Sequence, residues 1–344
     1  MKKRIKINFC DFSRNFSKTD NQFIRVLAPY YDLEISDNPD FIIYSCFDKN
    51  GNLPWKHTPV RPYISSVASY FDKDGRLPWS SRSRTSAAQE FKKYQCIRIF
   101  YTSENVRPNF RECDYAFSYD YGNNTNNYRW PLYGQYRSDL GLPFVGVGDV
   151  HPLVKDETFD PEKILKEKNQ FCNFVYSNRH AKRREKFFHK LSKYKRVDSG
   201  GKYLNNMGSY VKNKLEFLKP YKFTIAFENS SYPGYTTEKI YQPMLVHSLP
   251  IYWGNPLIYQ DFNTKSFLNY HEFESEEALI EKIIEIDQND DLYIDYLKQP
   301  YFVDNKVNQF ADPERLLKQF DYIFNNSKTP VAQEKTRKKK LIVV

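Results

Sequence analysis

Apolar residues fall in short runs separated by polar, turn-rich stretches, and each half of the chain starts this alternation afresh. In the first half, residues 5–9, 41–46, 96–101 and 115–119 read as strands, and residues 22–31 fit a short helix. Strand, helix, strand is the pattern of a parallel α/β sheet. In the second half, residues 174–177, 223–227, 249–253 and 266–270 read as strands. Residues 181–192 form a basic helical stretch, and residues 237–246 are helical after a turn at Pro233 and Gly234. Residues 274–286 carry Leu279, Ile283 and Ile286 on one helix face. Asp312 can cap a last helix that has Pro313 at its first position and runs to about residue 324. The pattern predicts an α/β protein of two Rossmann-like domains, residues 1–155 and 165–325, followed by a basic tail, residues 326–344. The boundary falls in the polar, charged stretch 153–168, and a cleft separates the halves. Inside the first half lies a near-repeat, FDKNGNLPW at 47–55 and FDKDGRLPW at 71–79. Each copy has a turn signal, Asn50-Gly51 or Asp74-Gly75, and the pair reads as a duplicated loop.

Length and composition agree with this. The 344 residues suit two domains, and 40% hydrophobic residues with 28 Tyr and 27 Phe supply sizeable cores. Net charge is +10, but residues 328–344 hold six basic residues and one acid, so half of the excess sits in the tail. The mildly basic body suits an anionic ligand and does not call for nucleic acid. Cys10, Cys46, Cys96, Cys113 and Cys172 form neither a CxxC nor zinc spacing, and read as free thiols in a reducing compartment. The six histidines are scattered, so no metal site is expected. No stretch reaches the roughly 18 apolar residues of a membrane span. A cytoplasmic protein is expected, with peripheral contact to an anionic membrane through residues 335–344, where Arg337, Lys338, Lys339 and Lys340 precede four apolar residues.

The densest chemistry lies at residues 222–254, KFTIAFENSSYPGYTTEKIYQPMLVHSLPIYWG. An apolar strand runs into a polar loop, then a Pro-Gly turn, then a helix that Thr236 or Thr237 can cap. Ligands of α/β sheets bind beyond the carboxyl ends of strands, and helix N-termini favour anions. A diphosphate there would meet backbone N–H groups and the Lys239 ammonium, and Glu238 could bond ribose hydroxyls.

This segment resembles the signature of the α1,3/4-fucosyltransferases, glycosyltransferase family ten, and most closely the bacterial members. The resemblance rests on Phe227, Glu228, Asn229 and Ser230, on the run Gly234 to Lys239, and on Pro250, Ile251, Tyr252, Trp253 and Gly254. It implies the two-Rossmann GT-B architecture, with the C-terminal half holding GDP and the N-terminal half carrying a catalytic base and much of the acceptor site. Residues 174–178 followed by Lys182, Arg183 and Arg184 resemble the family's strand and helix whose arginine binds the donor diphosphate; Arg184 fits best by offset, with Arg183 its alternative. Asn229 and Tyr235 fall on donor-site positions as well. Tyr101, Thr102, Ser103, Glu104 and Asn105 resemble the family segment whose glutamate is the proposed general base, which implies Glu104. Ser103 stands where relatives often have Gly, at some cost in backbone freedom.

The resemblance implies an inverting transfer of fucose from GDP-fucose to the N-acetylglucosamine of an N-acetyllactosamine-type glycan. No cofactor is required on this reading, although Mn2+ or Mg2+ often stimulates the family. Two other readings stand beside it: a GT-B transferase using another nucleotide sugar, and a non-enzymatic basic module binding glycan or nucleic acid. The acidic run at 287–291 reads as a helix end and cap.

Overall fold

The computed structural model describes residues 1–53, 57–59, 82–84, 86–122, 125–135, 150–179, 181–326 and 328–333. The second copy of the near-repeat and residues 334–344 of the tail lie outside the described residues. In the first copy, Gly51 takes a left-handed φ of +71°, while the Asp48 carboxylate accepts from the N–H groups of Asn50 and Asn52.

The chain divides into two compact units, each an α/β domain with its own parallel sheet. The first comprises Met1–Pro131, Arg137–Leu142 and Asp312–Val344. Its elements begin with β1 (Lys3–Cys10), α1 (Gln22–Leu27), β2 (Tyr31–Ile35) and β3 (Phe41–Tyr44). A short antiparallel pair follows, β4 (His57–Pro59) and β5 (Arg82–Arg84), and then β6 (Ile97–Tyr101), β7 (Tyr115–Ser118) and β8 (Asn127–Arg129). The six-stranded sheet runs β2-β1-β3-β6-β7-β8, with every neighbour parallel. Its central strands are buried on both faces, which is why FIIY and IRIFY show no alternation. The stretch expected to be helical to residue 31 stops at Leu27. Tyr31–Ile35 then forms the half-exposed edge strand, where alternating polar residues face water.

The second unit comprises Leu132–Tyr136 and Pro143–Ala311. Its elements are α2 (Pro161–Glu167), β9 (Gln170–Phe174), α3 (Lys182–Leu191), β10 (Val197–Ser199), α4 (Lys214–Leu218), β11 (Tyr221–Phe227), α5 (Glu238–Leu245), β12 (Leu249–Trp253), β13 (Leu268–Asn269), α6 (Glu276–Gln288) and α7 (Asp290–Lys298). The sheet order is β10-β9-β11-β12-β13, again all parallel. The strand expected at 174–177 lies earlier, at β9. Asn173 sits within it, fully buried, because its Nδ2 donates to Phe223 O and to Thr224 Oγ1. The acidic run does cap: Asn289 accepts from Leu292 N–H, and Asp290 and Asp291 begin α7.

The sequence places the last helix, α8 (Pro313–Asn325), with the second domain; the structure packs it on the first sheet. Leu316, Phe320, Ile323 and Phe324 all join the core formed by Ile5, Ile7, Phe9, Phe23 and Phe117. The first unit thus takes its residues from both ends of this chain.

Candidate active site

In a sheet of order β10-β9-β11-β12-β13 the chain turns from one direction to the other between β9 and β11, and such a switch point opens a crevice beyond the strand ends. The loop after β9 leads into α3, and the loop after β11 leads into α5. These two connections carry five of the six site residues read from the sequence: Arg184, Asn229, Tyr235, Glu238 and Lys239.

Arg184 is 2% exposed. Its guanidinium lies 3.7 Å over the Tyr176 ring, and Nη2 donates to Phe227 O at 2.9 Å and to Asn229 Oδ1 at 2.8 Å. Among the described residues the buried Nε donor has no hydrogen-bond partner. Arg183 faces elsewhere: it is exposed and lies 4.9 Å over Trp253 and 5.3 Å over Tyr270. Of the two arginines, Arg184 is therefore the one at the switch point.

Glu228 organises the other connection. It is fully buried, and its carboxylate accepts from Thr237 N–H at 2.8 Å and from the Thr237 hydroxyl at 2.7 Å. Lys239 Nζ stands 3.3 Å from Glu228 Oε2 and 3.2 Å from Glu238 Oε1. Thr237 does occupy the N-cap position of α5, but its hydroxyl serves Glu228 and caps no helix N–H. Burial raises the Glu228 carboxyl above its ordinary value, against the pull of Lys239. Burial also works against the Lys239 charge, but Glu228 and Glu238 outweigh it and hold this ammonium above the usual lysine range. Burial pushes Glu238 up, yet Lys239 and Lys214 prevail and hold it at about 2. Both carboxylates thus brace a permanently charged lysine at the start of a helix.

Gly254 explains itself here. A Cβ on this residue would stand 2.4 Å from Glu228 Cγ and 2.7 Å from the Tyr252 hydroxyl, so the strand end must be glycine to admit Glu228. Behind the loop, Asn255 accepts from Gly234 N–H at 2.7 Å and from Leu257 N–H at 2.9 Å. It also donates to Asp261, which accepts from Thr236 at 2.6 Å and from Tyr133 at 2.9 Å. Tyr235 is 2% exposed within this loop. The network lies deep behind the motif, and only the bare sequence Gly254-Asn255-Pro256 hinted at it.

Glu104 belongs to the first unit, in the loop after β6. Thr102, fully buried, clasps it from both sides: its hydroxyl accepts from Glu104 N–H at 2.9 Å and donates to Glu104 O at 2.8 Å. Ser103 needs no left-handed backbone, and Tyr119 donates to its carbonyl at 3.1 Å. The backbone cost expected for serine at this position is thus absent.

Two parallel-sheet domains, one presenting a buried arginine, a braced lysine and a helix start beyond its strand ends, define a two-domain α/β protein suited to an anionic ligand. Residues 165–310 match the family described as glycosyltransferase family 10 (fucosyltransferase), C-terminal part, and residues 7–66 and 85–136 match the alpha-(1,3)-fucosyltransferase FucT N-terminal domain. The chain belongs to glycosyltransferase family 10. It is 35% identical over 237 residues to alpha-(1,3)-fucosyltransferase FucT of Helicobacter pylori, covering 61% of this chain and 48% of that protein. It is 36% identical over 129 residues to alpha-(1,3)-fucosyltransferase B of Drosophila melanogaster, covering 33% of this chain and 28% of that one. The chain therefore spans about half or less of the length of these curated relatives. A crystal structure of an alpha1,3-fucosyltransferase superposes with a TM-score of 0.68 at 25% identity, covering 96% of this chain and 92% of that one. An alpha1,3-fucosyltransferase crystallised with GDP-fucose gives 0.66, also at 25% identity, covering 95% and 92%.

Proposed function

We propose that the protein is an inverting α1,3-fucosyltransferase that moves fucose from GDP-fucose to the N-acetylglucosamine 3-hydroxyl of N-acetyllactosamine-type glycans. The observation that carries this reading is Arg184: a buried guanidinium at the switch point, in one charge cluster with Lys239 at the start of α5, suits an anionic diphosphate. Relatives titled alpha1,3-fucosyltransferase, one of them with GDP-fucose, support the choice of donor and linkage.

In this mechanism the acceptor oxygen forms a bond to the fucose anomeric carbon while the bond from that carbon to the diphosphate breaks. Glu104 takes the acceptor's proton, and the electron pair leaves with GDP. Positive charge builds on the sugar, and negative charge builds on the leaving oxygen, where Arg184, Lys239 and the N–H groups that open α5 can stabilise it. On this reading Arg184 and Lys239 supply the positive charge that the diphosphate meets. Among the described residues no group of three His, Cys, Asp or Glu side chains could hold a metal ion. A cytoplasmic location, with residues 335–344 resting on an anionic bilayer, completes the proposal. Loss of residues 334–344 would then abolish flotation with anionic vesicles.

The test is incubation with GDP-fucose, with and without N-acetyllactosamine, following GDP release and product mass. Acceptor-dependent release with one added deoxyhexose supports the proposal. Stabilisation by GDP without transfer would keep the donor site and discard the acceptor.

A further inference from the structure

Lys214 took no part in the motif and no role in the sequence reading. Asn213 caps α4, accepting from Glu216 N–H at 3.3 Å, and so fixes Lys214 as the first residue of that helix. α4 packs against α5, which carries Glu238 and Lys239. The loop that leads from β10 to α4 is pinned at the switch point. Tyr203 N–H donates to Tyr176 O at 2.9 Å, and Val211 N–H donates to Gly200 O at 3.0 Å. Gly201 approaches so closely that a Cβ would stand 2.1 Å from the Tyr176 carbonyl oxygen. Tyr176 is the residue whose ring underlies Arg184.

Lys214 therefore joins one charge cluster. The groups that act on its ammonium are Glu238 and Lys239 on α5, Glu228 after β11, and Arg184 on α3. It is half-buried, and Glu238 is the carboxylate that acts on it most strongly. Three cations thus face two carboxylates, and Glu228 is already committed to Thr237 and Lys239. Glu238 is shared between Lys239 and Lys214, so the cluster carries one more positive charge than its carboxylates neutralise, and an added anion would complete it. Burial pulls the Lys214 pKa down to about 8, with Glu238 opposing and Lys239 assisting.

We propose that Lys214 is a third cationic ligand of the donor diphosphate, acting with Arg184 and Lys239 on the leaving group. The inference rests on the donor reading above and deepens it. Arg184 offers a rigid fork and Lys239 a braced charge; Lys214 offers a mobile ammonium that can follow the phosphate as the bond breaks.

The experiment titrates the full chain with GDP and with GMP, for the wild type, Lys214→Met, Lys214→Gln and Lys214→Arg, with thermal unfolding as the control for folding. Either neutral variant should bind GDP about tenfold or more weakly, with GMP affected less and Lys214→Arg retaining most of the affinity. Wild-type affinity for GDP should fall as pH rises through about 8, where the free ammonium loses its proton, and the neutral variants should lack that step. A folded neutral variant with wild-type GDP affinity, or a flat wild-type profile across pH 7–9, overturns the role of Lys214 alone. A wild type that does not bind GDP overturns the donor reading itself.

Discussion

Arg184 keeps its position through a ring beneath it, a backbone carbonyl and an asparagine oxygen, and the stacking on the ring needs a flat guanidinium. A lysine would keep the charge but lose the stacking and the fork. Arg184→Lys should therefore weaken GDP at least about tenfold while leaving the melting temperature within a few degrees, as calorimetry and thermal unfolding would show. Glu228→Gln removes the charge that braces Lys239 and should raise KM for the donor more than it lowers kcat. The same substitution at Glu104 should do the opposite, with a loss of about 10²–10⁴ in kcat and near-normal GDP binding. Steady-state kinetics on both variants separates the two roles. At this scale the sequence was legible where residues are contiguous: Glu238 and Lys239 could be read as a pair at the start of a helix. It was not legible where partners are far apart in the chain. Nothing in the run GSYVKNKLEF indicates that Lys214 meets Glu238, and nothing local ties Asp261 to Thr236 and Tyr133.

At the scale of elements, the loop after β11 is a device for burying one carboxylate, and the end of β12 is shaped around it. Gly254→Ala would drive a methyl group into Glu228 Cγ and the Tyr252 hydroxyl. It should cost about 1–3 kcal/mol and reduce donor affinity together with stability, both measurable by thermal unfolding with and without GDP. The turn between α5 and β12 carries a second expectation. His247 has a φ of +54°, bonds the Tyr301 hydroxyl at 3.0 Å, and is held at a pKa of about 4 by burial and then by Lys168 and Lys155. Between its ordinary 6.5 and about 4, the unfolded chain binds a proton that the folded one refuses. Stability owed to neutral His247 is thus complete above about 6.5 and is lost as pH falls toward 4. His247→Asn, which tolerates the backbone, should flatten that part of the melting profile. The alternation of strands and helices was legible because central parallel strands are almost wholly apolar. β9 was displaced in the reading because Asn173 looks like a strand end, although it pairs across the sheet. β2 and β10 were missed because edge strands of three to five residues carry too little pattern.

For the molecule as a whole, the two-domain α/β plan could be read from the chain, but the partition of its last helix could not. The amphipathic stripe of α8 fits any apolar sheet face, and the sequence does not say which sheet it covers. Phe320 is fully buried and stacks on Phe117 at 4.5 Å. Phe320→Ala should cost about 3–5 kcal/mol, all of it from the first unit, and amide exchange resolved by unit would show where the loss falls.

The same helix has a consequence for biosynthesis. The second unit is inserted within the first, so a ribosome finishes residues 143–311 before it delivers α8. The second unit can close while the nascent first sheet still lacks the helix that covers Phe23 and Phe117. The domain begun first is completed last, and a message stopping at residue 311 would yield a folded second unit tethered to a protease-sensitive, chaperone-dependent first one.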